Sequence, residues 1–192
     1  MDYFLLLEDM DLKSDKIFKI PNFKNYSKLL NKYDFDYSKA LNDEFLIVEE
    51  DFNLKKYKDF YGDKFPIISE NFYKFFKEFF EEPVFKNVIV TDNIMTSQFR
   101  YYYPVLNKVD CLSSQTKLNS FNQNMDINDL KDLEINMVCD LILDRKKLDE
   151  LDLDAFYIEN FKKDIMVVNL YIAEMILRNN LEGIKLKRLK LD

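Results

Sequence analysis

Histidine is absent from this 192-residue chain, and glycine nearly so: Gly62 and Gly183 are the only two. Without an imidazole there is no Ser-His or Cys-His catalysis, no histidine metal ligand and no ordinary switch near neutral pH. Two glycines so far apart write no Gly-rich phosphate cradle, so kinase, P-loop and dinucleotide-binding readings find no support. Cysteine is equally scarce. Cys111 and Cys139 lack CxxC spacing and make neither a zinc site nor a redox pair, so two buried free thiols are the expectation. No stretch approaches the ~20 apolar residues of a membrane span. The start, Met1 to Asp9, is apolar only briefly and carries Asp2, Glu8 and Asp9 where a signal peptide wants basic residues. A cytoplasmic protein with no membrane partner is expected.

What is present is a packable core and a surplus of acid. Hydrophobic residues make up 47% and aromatics 16% of the chain, enough to fold without staples. Asp and Glu number 35 against 28 Lys and Arg, a formal charge of −7. Such a surface repels phosphate backbones, which argues against nucleic acid, and suits a basic protein partner whose approach it would steer. Solubility alone accounts for the same balance.

Apolar runs at Tyr3–Glu8, Phe45–Val48, Val84–Val90, Asn136–Asp144 and Ala155–Ile158 read as strands. Residues 11–43 read as irregular, with one short helix near Tyr26–Asn31. After the extended Pro66-Ile67-Ile68, Ser69 is placed to cap a helix whose apolar positions are Phe72, Phe75, Phe76, Phe79 and Phe80, the stripe of a one-sided helix. About one hundred residues later the pattern returns: Ile165 to Val168 is extended, Asn169 is the cap, Ile172, Met175 and Ile176 repeat the stripe, and Ile184–Leu189 closes as a strand. The expectation is an α+β fold built on a mixed sheet with a few amphipathic helices and a degenerate strand–helix–strand repeat. It forms one domain over 1–192, divisible into lobes 1–97 and 98–192. Chance similarity between two amphipathic helices is the competing account of the repeat.

Catalysis without histidine would rest on carboxylates. Pairs such as Asp34 with Asp36, or Asp140 with Asp144, are the candidates for an acid–base or metal site, against the plainer reading of solvated acids. Cys111 has only Lys108 nearby to activate it, so core packing suits it better. No cofactor and no small-molecule substrate are expected. Three acid clusters stand out: Asp43–Asp51 (with Glu49, Glu50 and Asp51), Asp126–Glu134, and Asp149–Glu159 (with Asp149, Glu150, Asp152 and Asp154). Two of them on one face would form a patch for a cationic cleft; solvated turns explain them equally. In Tyr101-Tyr102-Tyr103, strand alternation puts Tyr101 and Tyr103 on one face, where they suit either an interface or a half-buried sheet. The candidate partner-binding residues are therefore Glu49, Glu50, Asp51, Tyr101, Tyr103, Asp149, Glu150, Asp152 and Asp154.

The run Tyr101 to Leu112, with Val109-Asp110-Cys111-Leu112 at its end, resembles the "LNVLxxVDCLD"-like stretch of the Imm11 family of bacterial polymorphic-toxin immunity proteins. Pro66-Ile67-Ile68-Ser69-Glu70 is similar to that family's "PLVSE" helix start, and Leu181-Glu182-Gly183-Ile184 to its closing "GLTGL". Ser113 stands where the family usually has an acid, and Asn169 where it often has Ser-Glu. The resemblance spans roughly residues 66–192. It implies a non-enzymatic antitoxin that binds the catalytic domain of a cognate secreted toxin and occludes it. A carboxylate-dependent hydrolase and an adaptor module without a toxin are the alternatives.

Overall fold

The computed structural model describes residues 1–9, 45–49, 58–62, 66–80, 85–92, 98–119 and 133–192, with the backbone alone for 45–49, 89–92 and 98. The expected irregular region 11–43 with its short helix, and the Asp34–Asp36 pair, lie outside the described residues. The fold is α+β.

Strands β1 (Tyr3–Glu8), β2 (Phe45–Glu49), β3 (Phe60–Tyr61) and β4 (Ile67–Ser69) precede helix α1 (Glu70–Phe76), and β5 (Phe85–Asp92) and β6 (Gln98–Pro104) follow it. Then come β7 (Lys108–Val109), β8 (Lys117–Leu118), β9 (Val138–Asp140), β10 (Ile142–Leu143) and helix α2 (Arg145–Asp149). Strands β11 (Ala155–Ile158) and β12 (Met166–Asn169), helix α3 (Leu170–Arg178), β13 (Ile184–Arg188) and β14 (Lys190–Leu191) complete the chain. Among the described residues these strands form two five-stranded sheets, ordered β2-β5-β6-β4-β3 and β13-β1-β12-β11-β7, and two two-stranded pairs, β10-β14 and β8-β9.

Local chemistry explains both long helices. Ser69 Oγ accepts from Phe72 N, and Phe72 and Phe76 are buried. The phenylalanine stripe extends past Phe76, but the chain tightens into a 3₁₀ turn over Lys77–Phe79, so the helix is shorter than the pattern suggests. Asn169 Oδ1 accepts from Ile172 N, and α3 buries Ile172, Ala173 and Ile176.

The repeat is real and larger than its strand–helix–strand core. In each half a short antiparallel hairpin (β3-β4; β11-β12) leads into the capped helix. The strand after the helix (β5; β13) lies antiparallel to the same neighbour as the strand before it, so one inserted strand fills the gap between them. A parallel strand flanks the far end of each: β2 beside β5, and β10 beside β14, the continuation of β13. The inserted strand is β6 in the first sheet and β1 in the second. Each half thus lends its first strand to the other half's sheet, a reciprocal exchange within one chain. The registers agree. Ser69 faces Tyr101 as Asn169 faces Tyr3, and Tyr61–Tyr101 and Tyr3–Phe156 are edge-to-face ring pairs at 5.5 and 5.6 Å, both at 71°. A cut between residues 97 and 98 therefore divides the two repeats in sequence but not the two sheets in space.

Helices α1 and α3 cover one face of this assembly. There Phe72, Phe76, Ile172 and Ile176 pack with Ile68, Tyr102 and Val168 in a cluster that joins both sheets. A second cluster under the other sheet gathers Leu5, Phe156 and Val167 against Leu112, Leu143 and Leu148. Two expectations fail here. Asn136–Asp144 is not one alternating strand: a 3₁₀ turn at Ile135–Met137 precedes β9, which pairs with β8, and β10 pairs with β14. Leu141, Ile142 and Leu143 are buried in succession because the chain passes between layers there, and alternation requires one partner layer throughout. Cys139 is consequently exposed, not buried, whereas Cys111 is buried as expected. Among the described residues no helix is long and apolar enough to cross a membrane.

Candidate partner-binding face

The Asp149–Asp154 turn is the acid cluster that the structure describes in full. Helix α2 opens on Asp144, whose carboxylate accepts from Lys146 N and Lys147 N, and it ends in a tight turn. Leu151 N and Asp152 N both donate to Leu148 O, and Asp152 adopts φ +42°, a left-handed conformation that aspartate tolerates better than most residues. The turn is then pinned to the start of α3: Asp154 O accepts from Asn169 N at 2.8 Å, and Asp154 Oδ1 from Asn169 Nδ2 at 2.5 Å. Leu170 N donates to Asp2 O, and Asp2 pairs with Arg188 at 2.7 Å.

This pinning gathers Asp149, Asp152 and Asp154 around Tyr3. Burial first, and then the charges of Asp152, Asp149 and Asp154, push the Tyr3 phenol up. The Asp154 carboxyl is raised too, chiefly by burial and further by Asp152, against the lowering hydrogen bond from Asn169. Asp149, Glu150 and Asp152 remain exposed. Leu151, Leu170 and Tyr171 lie exposed on the same stretch of surface, at 47%, 42% and 58%. Tyr171 leans edge-on against Phe79 at 5.4 Å, extending the apolar surface toward the first helix. These leucines and the tyrosine were not among the candidate residues. For Leu170 and Tyr171 the signal was present, since they fall on α3 outside its buried stripe of Ile172, Ala173 and Ile176, where polar residues are the rule.

The other candidates fare differently. Tyr101 and Tyr103 are not on an accessible surface: they are 1% and 6% exposed. Tyr101 Oη donates to Lys58 O, and Tyr103 Oη donates to Asp164 Oδ2 at 2.8 Å. Tyr157 Oη donates to Pro104 O, so Tyr103 and Tyr157 tie the two sheets together, and Lys108 pairs with Asp164 at 2.9 Å. Burial and Asp164 push the Tyr103 phenol well up. Residues Tyr101–Pro104 of β6 are covered on both faces, which sequence alternation cannot distinguish from a half-exposed strand. The backbone of Glu49 ends β2 opposite Asp92; its side chain, Glu50 and Asp51 lie outside the described residues.

The carboxylate pair offered for catalysis does not form a site. Asp140 is engaged by Lys190 at 2.6 Å, and Asp144 is committed to capping α2. Among the described residues no group of three Cys, Asp or Glu side chains could hold a metal ion. Burial, reinforced by Asp110, pushes the Cys111 thiol up to about 12, so it is no nucleophile at neutral pH. No protein-family model and no curated protein matches this chain.

Proposed function

We propose that this protein works by binding another protein, as an immunity protein that occludes the catalytic domain of a cognate secreted toxin. One observation carries the reading: the acidic turn Asp149–Asp154 is locked onto the start of α3 beside exposed Leu151, Leu170 and Tyr171. Apolar anchors beside exposed like charges are what a protein interface needs, the anchors for affinity and the charges for orientation. The overall charge of −7 adds long-range attraction for a basic partner. The likeness of Val109–Leu112 and Pro66–Glu70 to immunity-protein motifs supplies the partner class. Where the toxin is a basic nuclease, the turn would occupy the cleft that otherwise takes a polyanion.

The test is co-expression with the product of the adjacent toxin gene, followed by pull-down, growth rescue and association kinetics. The wild-type chain rescues growth, and its association slows as salt rises. Asp149→Lys with Asp152→Lys slows association at low salt by about tenfold and flattens the salt dependence. A toxin that the chain neither binds nor neutralises refutes the function. Unchanged association by the charge-reversed variant refutes the assigned face.

A further inference from the structure

Strand β13 ends the second sheet in the order β13-β1-β12-β11-β7, and only one of its edges is paired along Ile184–Arg188. Asp9 N donates to Gly183 O and Leu189 N to Tyr3 O, so the odd-numbered residues turn their backbone groups toward β1. Antiparallel alternation then points the N–H and C=O of Ile184, Leu186 and Arg188 away from the sheet. Among the described residues no hydrogen bond engages those outward groups. Strand β10 shields only the continuation of this edge, at Ile142↔Lys190 and Leu143↔Leu191. Continued backward in register, the chain ahead of β10 would pass along Arg188 and Lys187, but Val138–Asp140 turns away to pair with β8.

The two faces beside this edge differ. Ile184 and Leu186 are half-buried and pack against the cluster under α1 and α3. Lys185 and Lys187 are exposed on the opposite face. Lys185 pairs with Asp9 at 3.0 Å, and Lys187 makes no ion pair among the described residues. The hydrogen bond from Lys190, and then the charges of Lys190, Lys117 and Lys187, hold the Asp140 carboxyl low, so three lysines share one carboxylate near the strand.

We propose that Ile184–Arg188 receives an extended acidic segment of another protein as an added antiparallel strand, with acids opposite Lys185 and Lys187 and an aliphatic residue opposite Leu186. Backbone bonds form at Ile184, Leu186 and Arg188 and supply affinity, and the side chains fix the register, as in strand-addition recognition. Lys185 and Lys187 fall at the non-hydrogen-bonded positions, where facing side chains stand closest and opposite charges count most. A second copy of this chain is the poorer occupant, because two β13 strands paired about Leu186 set Lys185 opposite Lys187. The overall charge of −7 is screened beyond about 8 Å at physiological ionic strength, so the local lysines decide. No residue of the Asp149–Asp154 turn takes part, so failure here and failure of the toxin assay are separate results.

The probe is a capped heptapeptide, Thr-Val-Glu-Val-Glu-Val-Thr, titrated into the ¹⁵N-labelled full chain. The Leu186 amide proton is expected to move downfield and exchange more slowly, while the Lys185 and Lys187 amides, already turned to β1, stay in place. Methylating the backbone nitrogen of the central valine removes the donor to Leu186 O and weakens binding about tenfold. Methylating the glutamate beside it, whose N–H points away from β13, leaves binding little changed. Lys187→Glu weakens binding about fivefold, and lysine in place of the first glutamate, which faces it, restores the affinity. A Leu186 amide unmoved at millimolar peptide overturns the proposal, and the lysines then only guard a bare edge against aggregation. So does binding indifferent to which nitrogen is methylated, which would be charge attraction alone. A Leu186 amide already slow to exchange in the free chain also overturns it, since the edge is then covered by the protein itself or by a second copy.

Discussion

Lys58 is the place to test how the exchanged strands are held. It is 2% exposed, its Nζ donates to Glu8 Oε1 at 2.9 Å and to Asp9 O at 3.0 Å, and it sits 5.9 Å from the centre of the Tyr61 ring. Glu8 also accepts from Gly62 N through Oε2 at 3.2 Å. Glu8 ends β1, which belongs to the second sheet, whereas Lys58 and Gly62 flank β3 in the first, so this ion pair fastens the lent strand to its own half. Lys58→Met keeps most of the stem's volume and removes the ammonium. Glu8 then keeps one backbone donor and loses its counter-charge in a site that is only 14% exposed. Breaking one side of a buried pair costs about 3 to 5 kcal/mol, and the residual solvent contact of Glu8 favours the lower figure, about 3 kcal/mol. In a domain of this size that lowers Tm by about 9 °C and the urea midpoint by about 1.5 M. The double variant Glu8→Leu/Lys58→Met leaves no orphaned charge and should recover much of the loss, so urea unfolding of the four proteins closes a double-mutant cycle. A cost under about 1 kcal/mol for Lys58→Met, with strictly additive doubles, would mean that water reaches this junction and that the strand exchange is held by apolar packing alone.

Gly183→Ala should destabilise the chain by about 2 kcal/mol in equilibrium unfolding, because φ +79° disfavours any Cβ and that Cβ would meet the Lys58 stem. At pH 8 the native protein should react with a thiol reagent at Cys139 only, and Cys111 should join after denaturation. Its thiol, held near 12 by burial, is protonated throughout that range. Asn169→Ala should cost about 2 kcal/mol, since it removes the cap of α3 and leaves the half-buried Asp154 without its donor; Asn169→Asp should restore the cap but set two carboxylates together. Asp154 itself gives a pH signature. Its folded-state value lies above that of the unfolded chain, so the folded state binds the extra proton between the two and the Asp154 contribution to stability falls as pH rises through that window. Asp154→Asn should therefore steepen the rise of stability with pH across that window, and an unchanged slope would contradict the raised value.

What the amino-acid order determined by itself is local. Ser69 and Asn169 were readable as caps because a short acceptor ahead of a one-sided apolar stripe is a helix start whatever surrounds it, and both strand–helix–strand cores followed from such signals. The acidity of residues 149–154 was equally plain, as was the lack of an imidazole. The tertiary structure alone decided which strand fills the gap that each crossover leaves, because β1 and β6 carry no mark of the sheet they enter and non-local pairing chooses between them. It alone buried Tyr101 and Tyr103, by covering both faces of Tyr101–Pro104 in β6, and broke Asn136–Asp144 by passing the chain between layers. It alone set Asp59 and Asp154 opposite the two caps, since hairpin register brings them there from ten and fifteen residues away. Local propensity acts over a few residues and can be read along the chain, whereas these outcomes depend on contacts between distant segments that exist only once the sheets have formed.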